Sequence, residues 1–596
     1  MALTPSQRAA VVYDQNLILF AGPGSGKTAT AVAKADRILS RPDTRLCLVT
    51  FTVAAAGEMQ RRTEVAFASN GRQFPKQNLI CGTFNSLSLR HFQKHTKIKE
   101  KLLGPPARSA MINTMLAHLP LDDKTETILA LERYQGALNP ETIALSSGHA
   151  KFIDEYLSKM RAAKATDLAT VMRECTHQMG TGQIPLLPVT HLLGDEMQDA
   201  DEVQLEFMLH HGRAGVITTL VADDDQTIYE WRSALGYVGL QRFAQEAKAK
   251  TITLAENFRS RDEIVAHAKQ LIVRNDPDRI EKDQVAVRGP GGALVVVASS
   301  HLEAECDLVA NAIHEHPQDR GTVAILARSN RALDTMEEGL SIYGVPYRRD
   351  GRSIWDSTEI CIFVSLMRAL LSSASADLLP VLMLLDLDGL TRKQLEREIG
   401  GHCGDFLDGS LADLSHATPL DKAELTRFTQ DTSTWRKRLR KGEINLTLPD
   451  IKDATRDLIR AHANESPEDQ SSKMRRINFL LDTALNVLSN MKGSLSHRLN
   501  TISRIQAKAP DADTVRLMTM HSSKGLEFDT VFLINAKKPD DGSTLMNDHP
   551  ERRLFYVAMT RAKERFAATY SDTPVKFIHE AGLPVSQSLH DLFGSH

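Results

Sequence analysis

Several things are scarce in this chain of 596 residues. Its six cysteines, Cys47, Cys81, Cys175, Cys306, Cys361 and Cys403, are scattered singly. That spacing excludes a zinc ribbon, an iron–sulfur run and a CxxC redox pair, and reads as reduced thiols in cores. Neither sign of charge is in excess, with 72 Lys and Arg against 75 Asp and Glu, a net charge of −3. A histone-like polycation is thereby excluded. A nucleic-acid partner is not, because backbone binding needs a positive groove rather than a positive protein. No run approaches the ~18 apolar residues of a membrane span. The start, MALTPSQRAAVVYDQ, lacks the basic residues and apolar core of a signal peptide. The expectation is a soluble, cytoplasmic protein without a membrane partner. Repeats of fixed period and low-complexity tracts are also missing.

What remains is ordinary globular material, 42% hydrophobic and 25% charged. At roughly 150 residues per domain the length predicts about four folding units. Short apolar runs at 17–20, 46–50, 79–82, 216–222 and 251–254 alternate with helical stretches, and runs at 293–298, 323–327, 517–520 and 531–535 repeat the pattern later. Such alternation predicts two α/β units with parallel sheets. Two stretches without strand signal, rich in Leu, Ala, Lys, Glu and Asp, read as helical insertions, one into each sheet. The second holds the densest basic run, Arg436, Lys437, Arg438, Arg440 and Lys441 beside Trp435, which reads as a solvated helix face.

Chemistry first becomes specific at Ala21-Gly22-Pro23-Gly24-Ser25-Gly26-Lys27-Thr28, after the strand at 17–20 and before a helical stretch. Strand, glycine turn and Gly-Lys-Thr form a phosphate-loop context, although the usual pattern opens with Gly where Ala21 stands. Its glycines let backbone N–H groups wrap β-phosphate oxygens, and the helix N-terminus adds a favourable field. Lys27 would bridge the β- and γ-phosphates and Thr28 would hold Mg²⁺. After the strand-like 191–193 come Asp195 and Glu196. There Asp195 completes a Mg²⁺ shell and Glu196 accepts the proton of the water attacking the γ-phosphate.

The string Val221-Ala222-Asp223-Asp224-Asp225-Gln226-Thr227-Ile228-Tyr229-Glu230-Trp231-Arg232 is long and unusual. With it the chain resembles the superfamily 1A DNA helicases of the UvrD/Rep/PcrA type. Further signatures stand in the family's order: 3–7 ahead of the phosphate loop, Val49-Thr50-Phe51-Thr52, Gly82-Thr83-Phe84, Glu256-Asn257-Phe258-Arg259-Ser260, 518–528 with His521 and Glu527, and Tyr556-Val557-Ala558-Met559-Thr560-Arg561.

This resemblance implies two RecA-like domains, at 1–90 with 187–262 and at 263–366 with 507–596, and helical insertions at 91–186 and 367–506. It implies an ATPase stimulated by nucleic acid, with ATP and Mg²⁺ as cofactors. Gln7 matches the adenine reader, Phe258 the ring that stacks on adenine, Glu527 a ribose contact and Gln226 the γ-phosphate sensor. Arg259 and Arg561 match arginines that reach the γ-phosphate from the second domain and its edge. Phe51, Thr83, Tyr229, Trp231, Arg232 and His521 match positions on the single-stranded DNA track, although core packing is an equal reading for Phe51 alone. Phe258 for Tyr, Met197 for an aromatic, Val53 for Asn and Asn85 for His depart from the pattern and touch its fine tuning. The expected activity is 3′-to-5′ translocation and unwinding at single-strand/duplex junctions, in repair, recombination or phage defence. The short chain and reduced second insertion leave open an alternative, an ATPase that senses DNA ends and signals to a partner nuclease or effector.

Overall fold

The structure is a computed structural model that describes residues 3–96, 100–118, 124–229, 233–277, 279–410, 417–461, 467–507, 514–538 and 548–593. Its residues pack into two compact units. One comprises Met1–Gly292, Ser543–Glu564 and Glu580–Gly582, and the other Ala293–Gly542, Arg565–His579 and Leu583–His596.

The first unit is built on a six-stranded parallel sheet of β1 (Leu17–Ala21), β2 (Leu46–Thr50), β3 (Leu79–Thr83), β4 (His191–Gly194), β5 (Ile217–Ala222) and β6 (Lys250–Leu254), in the order β3-β2-β4-β5-β1-β6. Residues of β1, β2 and β4 are buried without exception, as expected where helices cover both faces of a parallel sheet. One face packs Ala31, Ala35 and Ile38 of a helix against Leu17, Leu19 and Leu48, and the other packs Phe84, Phe207 and Phe243 against Ile18, Phe20 and Val49. A short parallel pair, β7 (Glu256–Asn257) with β8 (Val285–Ala286), follows β6. The insertion between β3 and β4 is helical around Leu131, Phe152 and Tyr156. Asp167 fixes its polar interior, capping Thr170 N–H at 2.8 Å and accepting from Tyr156 at 2.5 Å and Gln135 at 2.7 Å.

The second unit carries a seven-stranded sheet of β9 (Ala293–Ser299), β10 (Val323–Ala327), β11 (Tyr347–Arg349), β12 (Val515–Thr519), β13 (Phe528–Leu533), β14 (Ala562–Ser571) and β15 (Val585–Ser586), in the order β11-β12-β10-β13-β14-β9-β15. Its insertion consists of helices from Thr358–Ser372 to Leu495–Ala507, and one continuous apolar core runs from Val323 and Ile325 through Trp355 and Phe363 to Leu481 and Leu488. The α/β class with helical insertions is therefore as expected.

Two details differ from the sequence reading. Trp435 and Arg436 are buried, because Arg436 forks onto Asp408 at 2.9 and 3.3 Å and donates to Ser373 Oγ at 2.8 Å. The basic run is thus a helix that turns one ring and one guanidinium inward, with Lys437, Arg440 and Lys441 exposed. Residues 263–292 and 548–564, placed by sequence in the second domain, group with the first unit. The helix His549–Met559 packs on the helix Asp262–Ile272, and Arg552 donates to Asn275 at 2.6 Å and Glu580 at 2.7 Å. Four of the cysteines are buried, while Cys361 is exposed.

Candidate functional site

The loop after β1 turns twice through left-handed backbone, at Gly24 with φ +70° and Gly26 with φ +79°. A side chain would be strained at either position. A Cβ at Gly24 would also lie 2.6 Å from the Cβ of Arg259. Helix α2 (Lys27–Leu39) then starts without a side-chain cap, so its first-turn N–H groups face the loop as an anion site. The loop is braced internally by Ser25 Oγ donating to Gly22 O at 2.7 Å. It is braced externally by Gln7 in α1 (Pro5–Val12), whose Nε2 donates to Ser25 O at 3.0 Å while its Oε1 accepts from Thr4 N–H at 3.0 Å. Both ends of the Gln7 amide are thus engaged within the protein. Ala21 ends β1, and the half-buried Thr28 follows Lys27 in the first turn.

The two carboxylates after β4 sit beside this loop's sheet edge. Asp195 accepts the N–H of Glu196 at 3.0 Å, and Glu196 adopts φ +56°, a strained value for a residue with a side chain. Gln198, wholly buried, locks the turn by donating to Glu196 Oε2 at 2.5 Å and accepting Asp223 N–H at 3.0 Å. Gln198 was not singled out by sequence, and nothing but its place in the Asp-Glu turn marks it.

Lys27 Nζ lies 3.5 Å from Asp223 Oδ2, the same oxygen that accepts from Gln226 Nε2 at 2.5 Å. Gln226 Oε1 accepts from Arg561 Nη2 at 2.9 Å, and Arg561 Nε donates to Val557 O at 3.0 Å. Arg561 is 1% exposed. Burial pushes its guanidinium down to about 9, repulsion from Arg259 adds to this, and Glu196 and Asp223 oppose it. Arg259 donates to Thr560 O at 3.0 Å, which sets the two arginines side by side. Asn257 stitches the Arg259 segment to the loop, donating to Pro23 O at 2.9 Å and accepting the N–H groups of Arg259 and Ser260 at 2.9 Å. Phe258 N–H donates to Gly24 O at 2.9 Å. Lys27, Glu196, Gln226, Arg259 and Arg561 therefore belong to one cluster inside the first unit.

Two cations in the cluster escaped the sequence reading. Arg279 grips Asp225 with Nε and Nη2 at 2.8 and 2.9 Å, and Lys282 Nζ lies 3.3, 2.6 and 2.8 Å from Asp223, Asp224 and Asp225. The available signal was three consecutive carboxylates closing an apolar strand, an arrangement that demands buried cations.

Phe51 and Tyr229 line one cavity of about 550 Å³ with Asn85, Arg108, Met172 and Gln204, between the sheet and the helical insertion of the first unit. The Phe51 ring meets Phe84 edge-on at 5.5 Å, so it both packs and faces the cavity. Thr83 uses its hydroxyl to cap Ser86 N–H at 3.2 Å. His521 and Glu527 lie in the second unit, on the segment between β12 and β13. Trp231 and Arg232 fall outside the described residues.

A parallel sheet, a phosphate loop opening α2, adjacent carboxylates after β4 and arginines converging on a glutamine define a phosphate-loop ATPase. Comparison with known proteins makes this specific. The family model for the UvrD/REP helicase N-terminal domain matches residues 3–247, and that for the UvrD-like helicase C-terminal domain matches residues 252–409 and 414–573. DNA helicase II of Haemophilus influenzae is 26% identical over 95% of this chain and 83% of its own length. DNA helicase II of Escherichia coli is 25% identical over 96% and 85%, and the ATP-dependent DNA helicase Rep of Escherichia coli 25% over 96% and 91%. The chain belongs to the UvrD/Rep helicase family and is an ATP-dependent DNA helicase of that type. Among the described residues no helix is long and apolar enough to cross a membrane.

Proposed function

We propose that this helicase uses Mg²⁺-bound ATP to move 3′ to 5′ along single-stranded DNA and to open single-strand/duplex junctions. The observation that supports this best is the buried chain Lys27, Asp223, Gln226 and Arg561 beside the phosphate loop. The donor set suits the nucleotide: an uncapped helix start and Lys27 for phosphate, and the hydroxyl of Thr28 with the carboxylate of Asp195 for a hard cation. Bound Mg²⁺ would neutralise charge on the β- and γ-oxygens. Glu196 takes the proton of the attacking water, Gln226 senses the γ-phosphate, and Arg259 and Arg561 stabilise the transferring phosphoryl group. Phe258 offers a ring face to adenine and Glu527 contacts ribose. Gln7 reads adenine by exchanging its bonds to Thr4 and Ser25. Phe51, Thr83, Tyr229, Trp231, Arg232 and His521 form the DNA track, where stacking holds bases of any sequence. The division into two motor domains, each interrupted by a helical insertion, at 91–186 in the first and 367–506 in the second, belongs to the same reading.

Unwinding of partial duplexes bearing a 3′ or a 5′ tail, run beside single-strand-stimulated ATPase with Lys27→Ala as the inactive control, tests it. Unwinding of the 3′-tailed substrate alone is expected. Unwinding of the 5′-tailed substrate alone reverses the polarity. Rapid ATP hydrolysis with no unwinding of either substrate transfers the assignment to an ATPase that signals to a nuclease or effector partner.

A further inference from the structure

Asp223, Asp224 and Asp225 close β5 with none more than 1% exposed. Neighbouring carboxylates without water repel one another, so each must meet a cation or take up a proton. Three cations meet them, and they are not equivalent. Lys27 is the most distant and the most accessible, 3.5 Å from Asp223 with a side chain 13% exposed. Lys282 is 1% exposed at its side chain and touches all three carboxylates, at 3.3, 2.6 and 2.8 Å. Arg279 forks onto Asp225 from the same segment, and Ile280 N–H donates to Asp224 Oδ2 at 2.7 Å. The strand end is therefore gripped by the short segment 279–282 that leads into β8.

The grip matters because of what Asp223 carries. Its Oδ2 accepts from Gln226, whose Oε1 accepts from Arg561. When Lys27 turns to incoming phosphates, Asp223 loses one of its two cations, and only the other can keep it an ionised acceptor in place. We infer that Lys282, braced by Arg279 on Asp225, is the positioning residue that holds Asp223, and through it Gln226 and Arg561, in register for hydrolysis once Lys27 has left. This rests on the ATPase reading above. Lys282 touches neither nucleotide nor DNA in that scheme and acts only through Asp223.

The test compares the full-length parent with Lys282→Met, Lys282→Arg, Asp224→Asn/Lys282→Met, Gln226→Ala, and Lys282→Met combined with Gln226→Ala. For each, kcat and KM for ATP, nucleotide affinity and the unfolding temperature are measured. Lys282→Met is expected to lower kcat on the order of 10²-fold, as a misplacement of about 1 Å does, with KM little changed. Lys282→Arg restores part of that loss. Asp224→Asn/Lys282→Met rebalances the buried charge and keeps an acceptor for Ile280, so it recovers the unfolding temperature but not kcat. It also carries the test if Lys282→Met does not fold. Adding Gln226→Ala to Lys282→Met slows the enzyme no further than Gln226→Ala alone. Recovery of kcat together with the unfolding temperature, or multiplying effects of Lys282 and Gln226, overturns the inference while leaving the ATPase reading intact. A parent without ATPase activity overturns the reading of the site and this inference with it.

Discussion

Arg561 donates from Nη2 to Gln226 Oε1 at 2.9 Å, and both side chains are buried. Gln226 passes the contact on to Asp223 at 2.5 Å, and Asp223 faces Lys27 at 3.5 Å. An arginine near the end of the chain is therefore linked to the phosphate-loop lysine through two side chains, and none of the four groups has an independent position.

Replacing Arg561 by Ala should lower kcat for ATP hydrolysis on the order of 10³-fold, the scale of an arginine acting on a transferring phosphoryl group. ATP affinity should change far less, since such an interaction strengthens only as charge develops. Arg561→Lys should rescue little, because a single ammonium cannot serve Val557 O and Gln226 Oε1 from two separate nitrogens. Titration of a fluorescent ATP analogue beside steady-state kinetics checks both points. Equal losses of affinity and turnover would remove Arg561 from the hydrolytic step.

Glu564 should matter to turnover although it lies apart from the nucleotide site. It accepts from Arg261 Nε at 2.8 Å and from Arg288, and Arg288 donates to the backbone carbonyl of Arg259 at 2.8 Å. This clamp ties the backbone of Arg259 to the strand that follows Arg561. Its groups are partly exposed, so Glu564→Gln should cost only about 0.5–1 kcal/mol, equivalent to a roughly two- to five-fold fall in kcat. A change in KM alone would show that the clamp serves binding instead.

The legibility of these parts differs for physical reasons. β1, the glycine turn and α2 are written locally, because apolar run, left-handed turn and helix start occupy adjacent residues. The Asp195-Glu196 turn after β4 is equally local. Arg279 and Lys282 carry no local signature, since what calls for them is the burial of Asp223, Asp224 and Asp225, which only the assembled sheet reveals. Residues 548–564 group with the first unit without any shift in composition, so a linear reading assigns them to their sequence neighbours. Trp435 and Arg436 look like part of a charged surface because the sequence does not say which stripe of their helix faces Asp408 and Ser373.

Tyr229 and Phe51 supply the test of the track. Both face the cavity that Asn85, Arg108 and Gln204 also line. An aromatic face contributes about 1–3 kcal/mol per stacked base whatever the base. Tyr229→Ala should thus weaken single-strand affinity by roughly 5- to 150-fold, with no dependence on sequence. Fluorescence anisotropy with homopolymer oligonucleotides reads this out. Phe51→Leu should show a smaller loss, because the ring divides its contacts between the cavity and Phe84. Unchanged affinity in both variants would identify the cavity as packing space alone.

Within the basic run, Arg436 and its neighbour Lys437 should behave oppositely. Arg436→Ala removes a buried guanidinium and takes its donor from Ser373, while the exposed Asp408 keeps Arg440 at 3.0 Å. Because Asp408 retains some solvent, the loss should be about 1–3 kcal/mol rather than the full cost of breaking a buried pair. Lys437 is exposed, and Lys437→Glu should leave stability unchanged. Thermal unfolding of the two variants separates them, and equal shifts would contradict the inward turn of this helix.

Lys34 gives the pH dependence its sign. It is 3% exposed and donates to Ala10 O at 3.0 Å and Tyr13 O at 2.6 Å, closing the C-terminal end of the α1 helix that carries Gln7. Burial pushes its ammonium down from the ordinary 10.5 to about 8, with Asp14 opposing. The folded chain therefore releases this proton at lower pH than the unfolded chain does. Between about pH 8 and 10.5 the unfolded state holds more protons, so this group makes the protein more stable as pH rises, by about 3 kcal/mol across the window at most. Below pH 8 the penalty of burying the charge is complete and the slope from Lys34 vanishes. Lys34→Met removes the slope, so its stability should fall progressively behind the parent's as pH rises through that window, on top of a constant loss from the two missing hydrogen bonds. Urea unfolding of parent and variant at several pH values checks this, and parallel profiles would mean that Lys34 keeps its ordinary proton affinity. The same variant should raise KM for ATP, because α1 holds Gln7 against Ser25 O of the phosphate loop at 3.0 Å and loses its far anchor when the ammonium is gone.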